Sequence, residues 1–549
     1  MAVTATDDIA ERGSLNTSLP IFVALAGVPV VVAATLVIST DVLLSREMTW
    51  DLLFNLAGAW HLLNGHVPHL DFHEPVGALN FLLTRIGFAL VGCTPFAFVA
   101  GAILVALAVF AAATAAAIVR LRFLPALLFV AFASLLVLMP ANIGDKPDAY
   151  SFAMSYNRYG WSALSILTLI FFLPRRDAGQ RYGLDLVNAT ALLTALFYLK
   201  ITYFAAALGL LAVSCLLCPH MRARLPAWLL VGGLQVANAL APWNSPYLSD
   251  IVNAAHAGAV RNSISVHLNN LLADVEGYTA YATLLGVAGW LYLRRQAPLS
   301  LPLAMAAILG TGLLVLSQNH QSHGLPLGIA AAFLLYEQVH RRWGASVPAL
   351  PALAVLVLAS IGADAVSLVG YHAQARPDDR LKVVTTGQLA GLAVPAEHAG
   401  LLTAFASEPP NPALLNAARR EQSRYELSPA EYVTTLLEAA GLLQSARYPP
   451  GKVALLDQVN PLPFMLGWTP PRGGNLWSGP GAPMQPAERL FADVDYVLIP
   501  KFSTYMAWTE RAEREYGPYL AQTFPIRQET RSWALLSRQA AAPNEAEVR

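Results

Sequence analysis

Apolar stretches of bilayer-crossing length recur through about the first 370 residues of this 549-residue chain, and arginines mark every second junction between them. A stretch of about 20 apolar residues crosses the ~30 Å hydrocarbon layer as a helix, because a helix satisfies its own backbone there. The basic junctions carry Arg120 and Arg122, then Arg175, Arg176 and Arg181, then Arg222 and Arg224, then Arg294 and Arg295, then Arg341 and Arg342. Positive charge holds such loops in the cytoplasm. The other junctions, rich in acids, histidines and amides, then face outward, and the chemistry belongs with them.

Spans are expected at about 20–40, 95–118, 123–140, 160–174, 184–199, 202–218, 226–242, 278–293, 299–317, 325–339 and 347–370, about eleven in all. The stretch 184–218 is too long for one crossing and has no polar loop, but Lys200 sits at its midpoint in YLKITY. Two spans joined by a tight turn place that ammonium at the outer interface and keep the arginine ladder in phase. An odd total leaves the N-terminus in the cytoplasm and everything after Tyr371 outside. The first stretch follows Asp7, Asp8, Glu11 and Arg12 rather than a basic leader, and no small-residue cleavage site ends it, so it reads as a retained helix.

The composition is 56% apolar and 13% charged with zero formal net charge, which fits a membrane protein and gives no reason to expect nucleic acid. Cys93, Cys215 and Cys218 are the only cysteines, too few for a disulfide framework or a four-cysteine zinc site. The Cys215–Cys218 pair ends a lipid-facing span and reads as helix packing.

Four outer segments result. The first, about 41–94, contains two amphipathic stretches, 50–64 and 76–91, expected to lie along the membrane surface. The others are 141–160, about 243–277, and QNHQSHG at 318–324. From 371 to 549 the composition turns soluble. Apolar runs at 453–457, 495–500 and 532–537 suggest strands and 412–446 suggests one or two helices. The fold expected is therefore an α-helical polytopic membrane domain over 1–370, followed by a soluble extracytoplasmic α/β domain.

The first outer loop places Asp51 and Glu74 on either side of a surface helix and a Gly-His-Val-Pro turn, with Asp71 three residues before Glu74. An acid there can serve as general base toward an acceptor hydroxyl or amine, and a second can hold a metal or order the first. Equally, Asp51 can cap the helix beginning near Leu52, and Glu74 can belong to a solvated turn before Pro75. His61, His66, His69 and His73, with His320 and His323, offer imidazoles beside Asp71 and Glu74, but their spacing matches no defined metal motif. Asp145, Asp148, Tyr156 and Asn157 in the second outer segment suit sugar hydroxyls or phosphate. The loop NPLPFMLGWTPPRGGNLW at 460–477 suits a scaffold, a lid or a sugar-stacking surface.

A surface acid after the first span, a helix ending in a Gly-x-x-Pro turn, and an aromatic-x-Glu-Pro element leading into a second surface helix resemble the first periplasmic loop of the GT-C glycosyltransferases. The resemblance is to the lipid A aminoarabinose transferase and protein O-mannosyltransferase branch. It covers about 370 residues, and Asp51 and Glu74 stand at the matching acid positions. Many relatives have an Asp-Glu pair where this chain has Asp51-Leu52. The resemblance implies an integral inner-membrane enzyme that moves a sugar from a polyprenyl-phosphate donor to a glycan, lipid or protein acceptor outside the cytoplasm, in some relatives with a divalent ion. Lys146, Arg158, Lys200 and Arg261 are the outer cations for the donor phosphate, and Asp145, Asp148 and Asp71 further substrate contacts. A lipid-linked glycan transporter or a non-catalytic envelope-assembly subunit are the alternatives. The spans lack the run of charged residues a translocation path needs.

Overall fold

In a computed structural model the chain is described over residues 4–141, 149–177, 182–258, 263–272, 278–318, 326–343, 352, 365–373, 380–396, 427–445, 447–479 and 481–538. Asp145, Lys146, Asp148, Arg181, Arg261, His320 and His323 lie outside these residues, as does most of the stretch 347–370.

Helices stand at the first ten expected spans. They are α1 (Thr4–Ile38), α4 (Phe96–Ala117), α5 (Phe123–Leu138), α6 (Ser155–Phe172), α7 (Tyr182–Leu199), α8 (Ile201–Leu217), α10 (Leu225–Ala239), α13 (Thr279–Leu293), α14 (Ser300–Ser317) and α15 (Pro326–Trp343). Among the described residues four segments are long and apolar enough to cross a bilayer: Leu19–Ile38, Phe96–Ala117, Tyr182–Leu199 and Ser300–Ser317. A fifth candidate is α10 with Pro242–Ala257, bent by 56°. Between these run α2 (Thr49–Leu63) and α3 (Leu79–Val91), at the two amphipathic stretches expected at 50–64 and 76–91, then α9 (Pro219–Arg222), α11 (Ser245–Ala257) and α12 (Ile264–Leu272).

The helix breaks at Lys200: α7 ends at Leu199, Lys200 is extended with φ −163°, and α8 begins at Ile201. The break lets α7 and α8 pack against each other and against α6. Gly160 on α6 makes this possible, since a Cβ there would meet the Tyr203 ring at 2.6 Å.

One end of the bundle is ionic. Arg120 donates to Asp185 at 2.7 Å, and Arg175 reaches the other oxygen of Asp185 at 3.1 Å. The Arg176 amide bonds to the Val119 carbonyl, Arg224 lies over the Tyr182 ring, and Glu337 accepts from the Arg122 amide. Four of the arginine junctions or their neighbours thus meet at one end. Arg120 is no surface cation: it is 2% exposed, and its guanidinium also bonds to the Leu173 and Ala116 carbonyls.

After the bundle, β4 (Val453–Leu455), β5 (Tyr496–Pro500), β6 (Ile526–Glu529) and β7 (Trp533–Ser537) form a sheet in the order β4-β5-β7-β6, with β4 and β5 parallel and the remaining pairs antiparallel. The helices of this region are α16 (Pro429–Leu443), α17 (Leu462–Leu466), α18 (Ala487–Leu490) and α19 (Met506–Thr523). A capping box of Ser428 and Glu431 starts α16, each side chain taking the other's backbone amide, with Pro429 in the first turn. A second sheet was not foreseen. Its strands are β1 (Leu43–Leu44), β3 (Leu392–Pro395) and β2 (Leu381–Val383), and β1 pairs parallel with β3. The stretch between α1 and α2 is thereby joined to chain some 350 residues later.

Asp185→Ala should destabilise the detergent-solubilised protein strongly, since leaving a buried charge without its partner costs about 3–5 kcal/mol. Asp177→Ala, which removes a more exposed partner of Arg175, should cost no more than about 1 kcal/mol. Thermal unfolding of the two variants side by side checks the difference; equal shifts would contradict it.

Candidate active site

At the end opposite the arginines, a cavity of about 390 Å³ is lined by Asp51, Glu74, Lys200, His73, Asp250, Trp50, Tyr156 and Trp477, among others. Three segments build much of it, and the start of α6, Lys200 and α11 add to it.

The first is the α2 start. Met48 and Met154, the residues preceding α2 and α6, both adopt left-handed conformations with φ 48° and 47°. For an unbranched non-glycine residue such a conformation costs of order 1 kcal/mol or more, and its recurrence at both rims of the cavity marks a constrained site. Asp51 lies in the first turn of α2 but does not cap it. Its Oδ2 instead accepts from the Met154 amide at 3.1 Å, across to α6. Burial pushes the Asp51 carboxyl up to about 6, with the Met154 amide opposing.

The second part is the segment from His69 to Gly77. Gly77 donates its amide to the Leu199 carbonyl at 2.9 Å, and a Cβ at Gly77 would come within 2.0 Å of the Tyr198 oxygen. Only glycine permits that approach, which ties this turn to the break at Lys200. Glu74 is 4% exposed; its Oε1 takes the Val76 amide at 3.4 Å, and its Oε2 has no hydrogen-bond partner among the described residues. Burial pushes its carboxyl up to about 8, against that amide, with the Asp250 and Asp51 carboxylates adding to the rise. Two acids sharing a cavity are thus held at different protonation states near neutrality.

Asp250 on α11 was not singled out in the sequence. Its Oδ1 faces His73 Nδ1 at 2.8 Å, and its Oδ2 faces His69 Nδ1 at 3.0 Å and accepts the Glu74 amide at 3.2 Å. Nothing local to SDIVNAAHAG signals this role, because its partners are some 180 residues away.

Lys200 donates to Asn157 Oδ1 at 3.1 Å and lies 5.0 Å from the Tyr156 ring centroid. Tyr203 donates to the same Asn157 oxygen at 3.3 Å, so the ammonium is held by the first turns of α6 and α8. Arg158 is buried, 3% exposed, and is not part of the cavity lining. Asp71 also lies off the cavity: it accepts the Val67 amide at 2.8 Å and pairs with Arg472 at 3.5 Å, fastening the loop to the C-terminal region.

The third part is the Pro/Gly/aromatic loop. His73 and Asn475 form a parallel bridge, with the His73 amide bonded to the Gly474 carbonyl and the Leu476 amide to the His73 carbonyl. Trp477, Asn475, Gln458, Ala482 and Pro483 thereby form a cavity wall, so this loop is structural and also faces the site.

Among the described residues no three His, Cys, Asp or Glu side chains converge to hold a metal ion. The first-loop histidines are engaged in pairs: His69 and His73 with Asp250, and His61 with His66 at 3.0 Å. Burial, with His66 adding, pushes the His61 imidazole down to about 3.

No family model and no curated protein matches the chain. Two solved structures are similar to it. The crystal structure of ArnT from Cupriavidus metallidurans in the apo state aligns over 97% of this chain and 100% of its own, at 14% identity and a TM-score of 0.42. The archaeal oligosaccharyltransferase AglB from Archaeoglobus fulgidus, in complex with an inhibitory peptide and a dolichol-phosphate, aligns over 91% of this chain and 70% of its own, at 11% identity and a TM-score of 0.34. Both are glycosyltransferases of the GT-C fold.

The raised Glu74 carboxyl has a stability consequence. The folded state binds the Glu74 proton more tightly than the unfolded chain does, so its contribution is fully present below the ordinary carboxyl value of about 4.5. It is lost as pH rises to about 8. Glu74→Gln, which stays neutral, should gain in unfolding temperature over the parent across this range and hold a constant lead above it. A lead that does not grow with pH would contradict the buried neutral acid.

Proposed function

We propose that the chain is an integral membrane glycosyltransferase of GT-C type. It moves a sugar from a polyprenyl-phosphate donor to a cell-envelope glycan, lipid or protein acceptor on the non-cytoplasmic face. The supporting observation is the cavity itself, where an ionisable acid (Asp51), an acid held neutral (Glu74) and an ammonium (Lys200) line one space beside aromatic side chains.

In this reading Asp51, ionised above about pH 6, takes the proton of the acceptor hydroxyl. The acceptor oxygen bonds to the anomeric carbon as the bond from that carbon to the phosphate oxygen breaks, and polyprenyl phosphate leaves. Lys200 offsets the phosphate charge. Glu74, neutral below about pH 8, keeps an O–H to donate within the cavity. Lys146, Asp145 and Asp148 remain proposed donor contacts, Arg158 lies buried away from the cavity, and Asp71 fixes the loop. About eleven spans, with the arginine end cytoplasmic, put the cavity and the region after Tyr371 outside.

Cysteine at exposed Leu70 or Glu515 should then react with an impermeant thiol reagent in intact spheroplasts, and cysteine at exposed Ala223 should not. Labelling in the reverse pattern would turn the topology over.

Asp51→Asn should lower sugar transfer by about 10²–10⁴-fold, because the amide keeps the Met154 contact but takes no proton. Lys200→Gln should weaken donor use by about 1.5–3 kcal/mol, the value of a hydrogen bond to a charged group. Both are read by comparing envelope glycans by mass in cells carrying each variant. Wild-type product from Asp51→Asn would remove Asp51 as the base.

A further inference from the structure

Among the described residues His73 is the histidine that lines the cavity, and its two ring nitrogens are in different situations. Nδ1 is 2.8 Å from Asp250 Oδ1, while Nε2 is buried and has no hydrogen-bond partner among the described residues. The Asp250 carboxylate also faces His69 Nδ1 and accepts the Glu74 amide, so three groups from one short loop converge on it. A carboxylate surrounded in this way is suited to staying charged, and a charged carboxylate only accepts. The proton of a neutral His73 therefore sits on Nδ1, and Nε2 presents a lone pair. A buried ring nitrogen left without a partner is costly, and a bound ligand would remove that cost.

We propose that His73 is a substrate contact whose Nε2 accepts a hydrogen bond from a sugar hydroxyl, with Asp250 as the residue that positions it. The inference rests on the glycosyltransferase reading. Phosphate is the wrong ligand for this nitrogen, because the donor's phosphodiester anion has no proton to give: it would set oxygen lone pairs against a nitrogen lone pair and meet the Asp250 charge. A hydroxyl offers the missing proton. The donor phosphate belongs instead with Lys200. The hydroxyl can be carried by the transferred sugar or by a glycan acceptor.

His73→Asn separates the two nitrogens, since the Asn amide keeps a donor near the Nδ1 position for Asp250 and has nothing in place of Nε2. In cells relying on the variant, product measured by mass in the envelope should fall about tenfold or more, the loss of roughly one hydrogen bond. Asp250→Ala should fall similarly, and the double variant should fall no further than the worse single one. Purified His73→Asn should bind undecaprenyl phosphate as tightly as the parent, while Lys200→Gln should bind it more weakly. Weaker binding of undecaprenyl-phosphate hexose by His73→Asn, with undecaprenyl phosphate binding intact, assigns the hydroxyl to the transferred sugar. Unchanged binding of both with product still lost assigns it to the acceptor. Wild-type product from His73→Asn, or its loss of undecaprenyl phosphate binding, overturns the proposal. Failure of the parent itself to bind undecaprenyl phosphate overturns the glycosyltransferase reading as well, so the two failures are told apart.

Discussion

The segment from His69 to Gly77 is held from three directions, and the cavity exists because all three holds act together. Backbone bonds at His73 join it to the loop at 474–476, side-chain bonds join it to Asp250 on α11, and the Gly77 amide joins it to the end of α7. A slip of one residue would break the bridge at His73 and carry Glu74 away from its neighbours. The cost of burying Glu74 is met by keeping it neutral, and that of burying Asp250 by surrounding it with hydrogen-bonding groups. Each solution depends on the backbone being placed first.

The two ends of the helical bundle use charge differently. At the arginine end, Arg120, Arg175 and Asp185 share one buried network, so residues that mark orientation in the sequence also lock helices together. At the cavity end the polar groups are held one by one by different elements. Asp51 accepts a backbone amide from α6, and Lys200 donates to the Asn157 amide oxygen beside the Tyr156 and Tyr203 rings.

The region after Tyr371 completes the site. Trp477 and Gln458 line the cavity, Trp468 accepts the Trp60 indole through its carbonyl, and Tyr432 on α16 meets Trp50 edge-on at 6.1 Å. With β3 paired to β1, these contacts make the region a wall of the same chamber rather than an appendage.

By itself the sequence determined what depends on local composition and period. Apolar length set the helices, Lys200 marked the break between α7 and α8, and Asp51 and Glu74 stood out as acids in the long stretch between the first two apolar spans. Strands arose at the apolar runs near 453, 496 and 533 for the same reason. What joins distant parts of the chain was decided only in three dimensions. Asp250 is an ordinary acid on an amphipathic helix until two histidines from another loop reach it. Arg158 and Asp71 are outer-loop charges in sequence, but packing buries the first and the C-terminal region engages the second. Local patterns follow from neighbours along the chain, whereas a side chain's solvation and partners follow from which backbones meet.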